Sequence, residues 1–230
     1  MENGKVPAVS PIKVILTGAT GMVGEGVLHE CLLHPDVEEV LAVNRRPCGI
    51  SHPKLKEIIH ADWFNLAPIR DRLTGYDACF FCLGVSSVGK NEAEYARLTY
   101  DLTLHAAELL AGLNPQMVFC YVSGEGTDST EQGRSMWARV KGRIENRLLR
   151  LPFKSAYMYR PGYIHPTNGL RNTHRYYYAL TWLYPALRVL FPGHVITLKE
   201  LGQAMIRSAV HGADSSILHS RDIAALAKRR

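Results

Sequence analysis

Short apolar runs alternate with stretches of helical period along most of the chain. The run KVILTG (13–18) reads as a strand ending on a glycine turn, and MVGEGVLHECLLHP after it spaces its apolar residues for a helix. EEVLAVNR and the shorter LKEIIHAD read as the second and third strands, and DACFFCLG as a buried fourth. NEAEYARLTYDLTLHAAELLAGL carries an apolar face at helical spacing and predicts one long helix. A fifth strand in QMVFCYVSG, a helix in WARVKGRIENRLLRL and a sixth strand in SAYMYRPGYI complete the series. Repetition of strand, crossover helix and strand dictates right-handed connections. The expected fold class is therefore α/β, a doubly wound parallel sheet with helices on both faces.

No composition break, internal repeat or low-complexity segment divides the sequence, so a single domain over residues 1–230 is expected. A polar leader occupies about 1–11, and a small C-terminal cap with closing helices about 165–230. Within that last third, HRYYYALTWLYPALRVLFPG (174–193) is rich in aromatic residues and leucine. A packed cap helix, a lid over an apolar substrate pocket and a membrane-surface helix all suit it. Its Arg and Pro interruptions exclude a transmembrane span.

Composition narrows the partners. The formal charge is +6, but the basic residues are scattered and only the terminal AKRR is dense, so no nucleic-acid binding is expected. The leader MENGKVPAVSP lacks the apolar core and cleavage site of a signal peptide. Five cysteines, an odd number, without a secretory signal imply reduced thiols and a cytoplasmic location. Cys79 and Cys82 form a CxxC, yet residues three apart on a strand point to opposite faces, and no second pair with zinc-like spacing follows. They read as core cysteines, and the histidines show no paired ligand spacing, so no metal is expected.

Gly18, Gly21 and Gly24 form G-x-x-G-x-x-G between the first strand and the first helix. That placement is the fingerprint of a dinucleotide site: a tight turn, backbone approach to a pyrophosphate, then close packing of helix on strand. The amides around Thr20, Gly21, Met22 and Val23 would aim free N–H groups and the positive helix end at phosphate. Where the second strand ends, Asn44, Arg45 and Arg46 stand in place of the carboxylate that would accept from a ribose 2′-hydroxyl. Two guanidiniums suit a 2′-phosphate instead, which points to NADP(H) as cofactor. Asp62 either accepts from the adenine amino group, with Trp63 or Phe64 bordering the ring, or caps the helix that follows. The loop Cys82-Leu83-Gly84 would lie over the adenine ribose.

With these residues in place, the chain resembles the short-chain dehydrogenase/reductase superfamily, in its atypical, epimerase-like branch. It is most similar there to the subgroup of the human Tat-interacting tumour suppressor and bacterial epimerase-like proteins. The resemblance runs from about Ile12 to Gly212 through TGATGMVG, NRRP, CLG, VSG, VKGRIE and RPGYI. It implies a Rossmann fold, NADP(H) binding and a small-molecule substrate whose identity the sequence does not give. By position it assigns Ser123 as the substrate-polarising hydroxyl and Lys141 as the partner of the nicotinamide ribose. It also sets Pro161, Gly162, Tyr163 and Ile164 against the nicotinamide, the last two through their backbone. The family's Y-x-x-x-K tyrosine falls on Trp137, and no other Y-x-x-x-K exists in the chain. An indole N–H donates but does not ionise, so it cannot pass a proton to an alkoxide. Tyr95, Tyr163 or a water held by Ser123 and Lys141 are the remaining acids. Two functions stay open: an oxidoreductase or epimerase-like enzyme on a small or apolar carbonyl or alcohol, and a non-catalytic NADP(H) sensor that binds a protein partner. A homodimer is compatible with either.

Overall fold

The computed structural model describes residues 10–172, 184–191 and 193–229. Residues 174–183 of the aromatic segment, and with them the choice between cap helix and lid, lie outside the described residues. Seven parallel strands form the central sheet in the order β3-β2-β1-β4-β5-β6-β9. In chain order they are β1 (Ile12–Thr17), β2 (Val37–Asn44), β3 (Leu55–Ile59), β4 (Ala78–Phe81), β5 (Val118–Val122), β6 (Ser155–Arg160) and β9 (Ile217–His219). A separate parallel pair joins β7 (Tyr163–His165) to β8 (Val195–Thr197). The helices are α1 (Met22–Leu33), α2 (Glu92–Ala96), α3 (Leu102–Leu113), α4 (Met136–Leu148), α5 (Tyr184–Leu190), α6 (Leu198–His211) and α7 (Ser220–Lys228), with a 3₁₀ helix at Ala67–Leu73.

Strand alternation sorts the apolar side chains into two cores. Val14, Leu16, Phe80 and Cys120 face α1, α6 and α7, whereas Ile15, Leu41, Cys79, Phe81 and Phe119 face α3, α4 and the 3₁₀ helix. Cys79 and Cys82 accordingly pack on opposite faces. Burial pushes both thiols well above the usual range. Among the described residues no group of three or more His, Cys, Asp or Glu could hold a metal ion, and no helix is long and apolar enough to cross a membrane.

Three elements differ from the pattern reading. The long helix is interrupted: Arg97–Asp101 forms a π-turn between α2 and α3, a local widening that hydrophobic periodicity does not register. SAYMYRPGYI is not one strand, because the chain turns at Pro161-Gly162 and Tyr163–His165 leaves to pair with β8. The seventh strand, Ile217–His219, pairs with β6, and only two apolar residues mark it. β1 lies between β2 and β4, so the chain leaves it in opposite directions at successive crossovers. A crevice opens at the carboxyl ends of the strands where the order reverses.

Candidate active site

At that reversal a cleft of about 470 Å³ is walled by Gly18, Thr20, Gly21, Arg45, Arg46, Cys82, Leu83 and Gly84. Its floor is a turn that side chains would block. Gly18 has φ +74°, and a methyl there would sit 2.8 Å from the Cys82 carbonyl oxygen. A methyl on Gly24 would collide with the Gly18 carbonyl, so the first turn of α1 packs directly on the loop. The Gly21 N–H closes the turn on the Gly18 carbonyl at 2.9 Å. Thr17 Oγ1 accepts from the Leu83 N–H at 3.1 Å, tying the β4 exit loop to the end of β1. No side chain caps α1, whose N-cap is Gly21, so the first-turn amides after it keep their N–H groups for a ligand. Met22 contributes backbone alone, since its side chain is buried.

Arg45 and Arg46 are exposed in the cleft wall and form no ion pair among the described residues. The loop that carries them is anchored from behind by Glu57 of β3. Its Oε1 accepts from the Cys48 N–H at 3.0 Å, the Cys48 thiol at 2.7 Å and Asn44 Nδ2 at 3.2 Å. Burial and the Glu57 carboxylate push the Cys48 thiol up to about 12. Asn44 is thus turned into the protein. An uncapped helix start and two guanidiniums without an ion pair among the described residues surround one open cleft and suit the phosphates of a dinucleotide.

The adenine side requires a correction. Trp63 is 6% exposed and meets Phe81 edge-on at 6.1 Å, so it belongs to the core and cannot border a nucleotide. Phe64 is the exposed ring, with the Arg97 guanidinium 5.4 Å from its centroid. Asp62 stands outside the cleft wall and closes its own turn, Oδ1 accepting from the Phe64 N–H at 3.0 Å. It does not cap the 3₁₀ helix, which starts after Leu66 without a side-chain cap.

Beyond the cleft, the residues assigned to the reacting end gather on β5, α4 and the turn after β6. Ser123 is 6% exposed; its Oγ donates to Glu145 Oε1 at 2.5 Å and also lies 3.1 Å from the Tyr159 carbonyl oxygen. Its single proton is therefore committed inside the protein, which corrects the expectation of a hydroxyl offered to substrate. Glu145 is fully buried and pairs with Arg160, whose Nε lies 3.0 Å from Oε2, while the Arg160 Nη2 reaches Ser129 Oγ at 2.6 Å. Arg160 is structural. Lys141 Nζ donates to the Ser123 carbonyl. The Trp137 indole, one helical turn before Lys141, rests its edge 3.2 Å from where a Cβ on Gly126 would be. Tyr95 is buried and its hydroxyl pKa is raised by that burial, so it leaves the set of acids. The Gly162 and Tyr163 amides are spent on Ser220 Oγ (2.8 Å) and the His194 carbonyl (2.9 Å), and the Ile164 side chain is core. The Tyr163 N–H is therefore not available to a carboxamide. Desolvation and the neighbouring Tyr184 raise the Tyr163 hydroxyl above its ordinary range.

Burial lowers the Lys141 ammonium to about 8, with Glu145 opposing the shift. Between about 8 and 10.5 the unfolded chain holds a proton that the folded chain has released, so raising pH through that window stabilises the fold. Below it, folding bears the full cost of a buried charge. Lys141→Met is expected to gain stability over wild type at neutral pH, and the gain should shrink as pH climbs through the window. Urea denaturation at several pH values measures this; a gain that does not vary with pH would refute it.

Glu57, Glu145 and Glu25 were not singled out in the sequence. Glu25, buried on α1, accepts the backbone N–H groups of Arg171 (2.8 Å) and Asn172 (2.7 Å), fastening the segment after β7 to the cofactor helix. A carboxylate on the apolar face of a helix was the available signal for Glu25 and Glu145. Glu57 gives none, since alternation alone puts polar residues on an edge strand.

Residues 14–134 match the family described as NAD dependent epimerase/dehydratase. Protein fmp52, mitochondrial, from Emericella nidulans is 30% identical over 158 residues, covering 66% of this chain and 66% of that protein. Protein HTATIP2 from Rattus norvegicus is 26% identical over 151 residues, covering 65% and 61%. The chain thus spans just under two thirds of the length of these relatives. Among solved structures, the UDP-N-acetylglucosamine 4-epimerase from Methanobrevibacter ruminantium M1, in complex with UDP-N-acetylmuramic acid, superposes with a TM-score of 0.65 at 15% identity. That likeness covers 90% of this chain and 75% of the epimerase, and it is one of fold.

Proposed function

The chain belongs to the NAD-dependent epimerase/dehydratase family, and from that premise we propose that it is an NADP(H)-using oxidoreductase or epimerase-like enzyme acting on a small or apolar carbonyl or alcohol. The observation that carries this reading is the single cleft in which Arg45 and Arg46 face the uncapped start of α1. There the first-turn amides hold the diphosphate, and the two guanidiniums grip the ribose phosphate that distinguishes NADP from NAD. When bound, the cofactor supplies the hydride chemistry that no side chain provides. Lys141, anchored on the Ser123 carbonyl, keeps two further N–H donors for the nicotinamide ribose. Ser123 can still accept a hydrogen bond from a substrate hydroxyl, though it no longer donates one.

A second reading is favoured by Trp137 and by the committed Ser123 proton: a cofactor-sensing protein that answers to a protein partner and turns nothing over. Calorimetric titration with NADPH and NADH, followed by a panel of carbonyl substrates, separates the two. The enzyme reading expects NADPH to bind well ahead of NADH and some carbonyl to be reduced. Equal affinities would remove the NADP(H) assignment, and tight NADPH binding without any turnover would favour the sensor. If the tyrosine's role is simply vacant, Trp137→Tyr should raise turnover, by up to the roughly 10²–10⁴ that general acid catalysis contributes. An unchanged rate would mean that another residue already supplies the proton.

A further inference from the structure

Resting on the enzyme reading above, we propose that His194, held by Glu125, is the acid–base residue of this site and stands in for the tyrosine that Trp137 replaces. Glu125 follows β5, two residues after Ser123, and its N–H donates to the Pro161 carbonyl at 2.9 Å. Its carboxylate pairs with His194 Nδ1 at 2.8 Å and lies 2.6 Å from where a Cβ on Gly162 would be. The His194 carbonyl packs on the same glycine and accepts the Tyr163 N–H. The next residue along, Gly126, carries the edge of the Trp137 indole. The pair therefore bridges the two features assigned to the reacting end, the vacated tyrosine position and the Pro161–Ile164 turn.

Exposure and hydrogen bonding suit the role. The His194 side chain is 63% exposed against 34% for Glu125, and His194 Nε2 has no partner among the described residues. The carboxylate fixes the ring through Nδ1 and leaves Nε2 open, the arrangement by which a carboxylate orients a histidine for proton transfer. Tyr163 competes poorly, because its hydroxyl is harder to ionise than usual.

In reduction, the bound cofactor would supply a hydride, with its electron pair, to the carbonyl carbon. The C=O π pair moves onto oxygen, and that oxygen takes the proton from Nε2 of the imidazolium. Neutral imidazole remains, its Nδ1–H still donated to Glu125, and water returns the proton to Nε2. Oxidation of an alcohol runs the same path backwards, with neutral Nε2 accepting the hydroxyl proton.

Two variants and two readouts on the full chain test this. His194→Gln should lower NADPH-dependent carbonyl turnover by roughly 10²–10⁴-fold while leaving NADPH affinity unchanged. Independently of turnover, imidazole NMR signals of His194 should move when NADP⁺ is added, while those of His105, exposed on α3, stay put. Glu125→Gln, which keeps an oxygen for the Nδ1–H but removes the negative charge beside the ring, should lower turnover while leaving NADPH affinity unchanged. Turnover unaffected by His194→Gln, or His194 signals indifferent to bound NADP⁺, overturns the assignment. Should NADPH fail to bind the wild type, the cofactor reading falls with it; should NADPH bind and His194 ignore it, only the histidine's role falls.

Discussion

Glu145→Ala is expected to destabilise the protein by about 3–5 kcal/mol, the usual cost of breaking a buried ion pair from one side. The carboxylate is fully buried between α4 and β6, and it accepts from both the Ser123 hydroxyl and Arg160 Nε. Removing it strands the Arg160 guanidinium in the interior with the Ser129 hydroxyl as its one remaining side-chain partner among the described residues. The loss far exceeds that of an exposed pair such as Arg147–Glu108, for which the same truncation costs about 0–1 kcal/mol. Glu145→Gln should fall between, because the amide keeps the shape and one acceptor but not the charge. Urea denaturation with linear extrapolation measures both variants. A loss below about 1 kcal/mol for Glu145→Ala would mean that water or a rearranged Arg160 relieves the stranded charge, and the network would not be structural in the sense argued.

This network also shows which contacts around Ser123 the sequence makes legible and which it hides. Lys141 and Glu145 stand one helical turn apart in VKGRIE, so their shared face was legible. Nothing in the spacing reveals that this face meets Arg160 across the sheet, because that encounter depends on β5 and β6 being neighbours, 15 residues of chain having been folded back. The glycine turn lies at the other extreme. Its chemistry is local, a few backbone atoms and the end of one strand, and Gly18 and Gly21 of the motif themselves wall the cleft. Trp63 and Phe64 illustrate a third case. They sit in a turn beyond β3, where neither strand nor helix period applies, so the pattern does not say which ring is core. The Glu125–His194 pair was invisible for a simpler reason: 69 residues separate its members, and no periodicity links them.

The arginine pair carries the second large effect. Arg45→Ala with Arg46→Ala should weaken NADPH binding by about 10²–10⁴-fold, taking roughly 1.5–3 kcal/mol for each charge-assisted contact to the 2′-phosphate. NADH binding should change little, since it lacks the group that the guanidiniums grip. Both side chains are exposed and make no ion pair among the described residues, so the fold should survive their loss with stability near that of wild type. The discrimination then lives in the difference between the two cofactors. A double variant that loses both equally has lost the pyrophosphate site or the loop, and denaturation midpoints would reveal the latter. Added salt offers a check of the same physics, because a phosphate–guanidinium contact at an open cleft is screened within a Debye length of about 8–10 Å. NADPH affinity in wild type should therefore fall with ionic strength more steeply than NADH affinity, and the double variant should abolish that difference. Parallel salt slopes in wild type would place the 2′-phosphate away from both arginines, and the preference for NADP(H) would lose its physical basis.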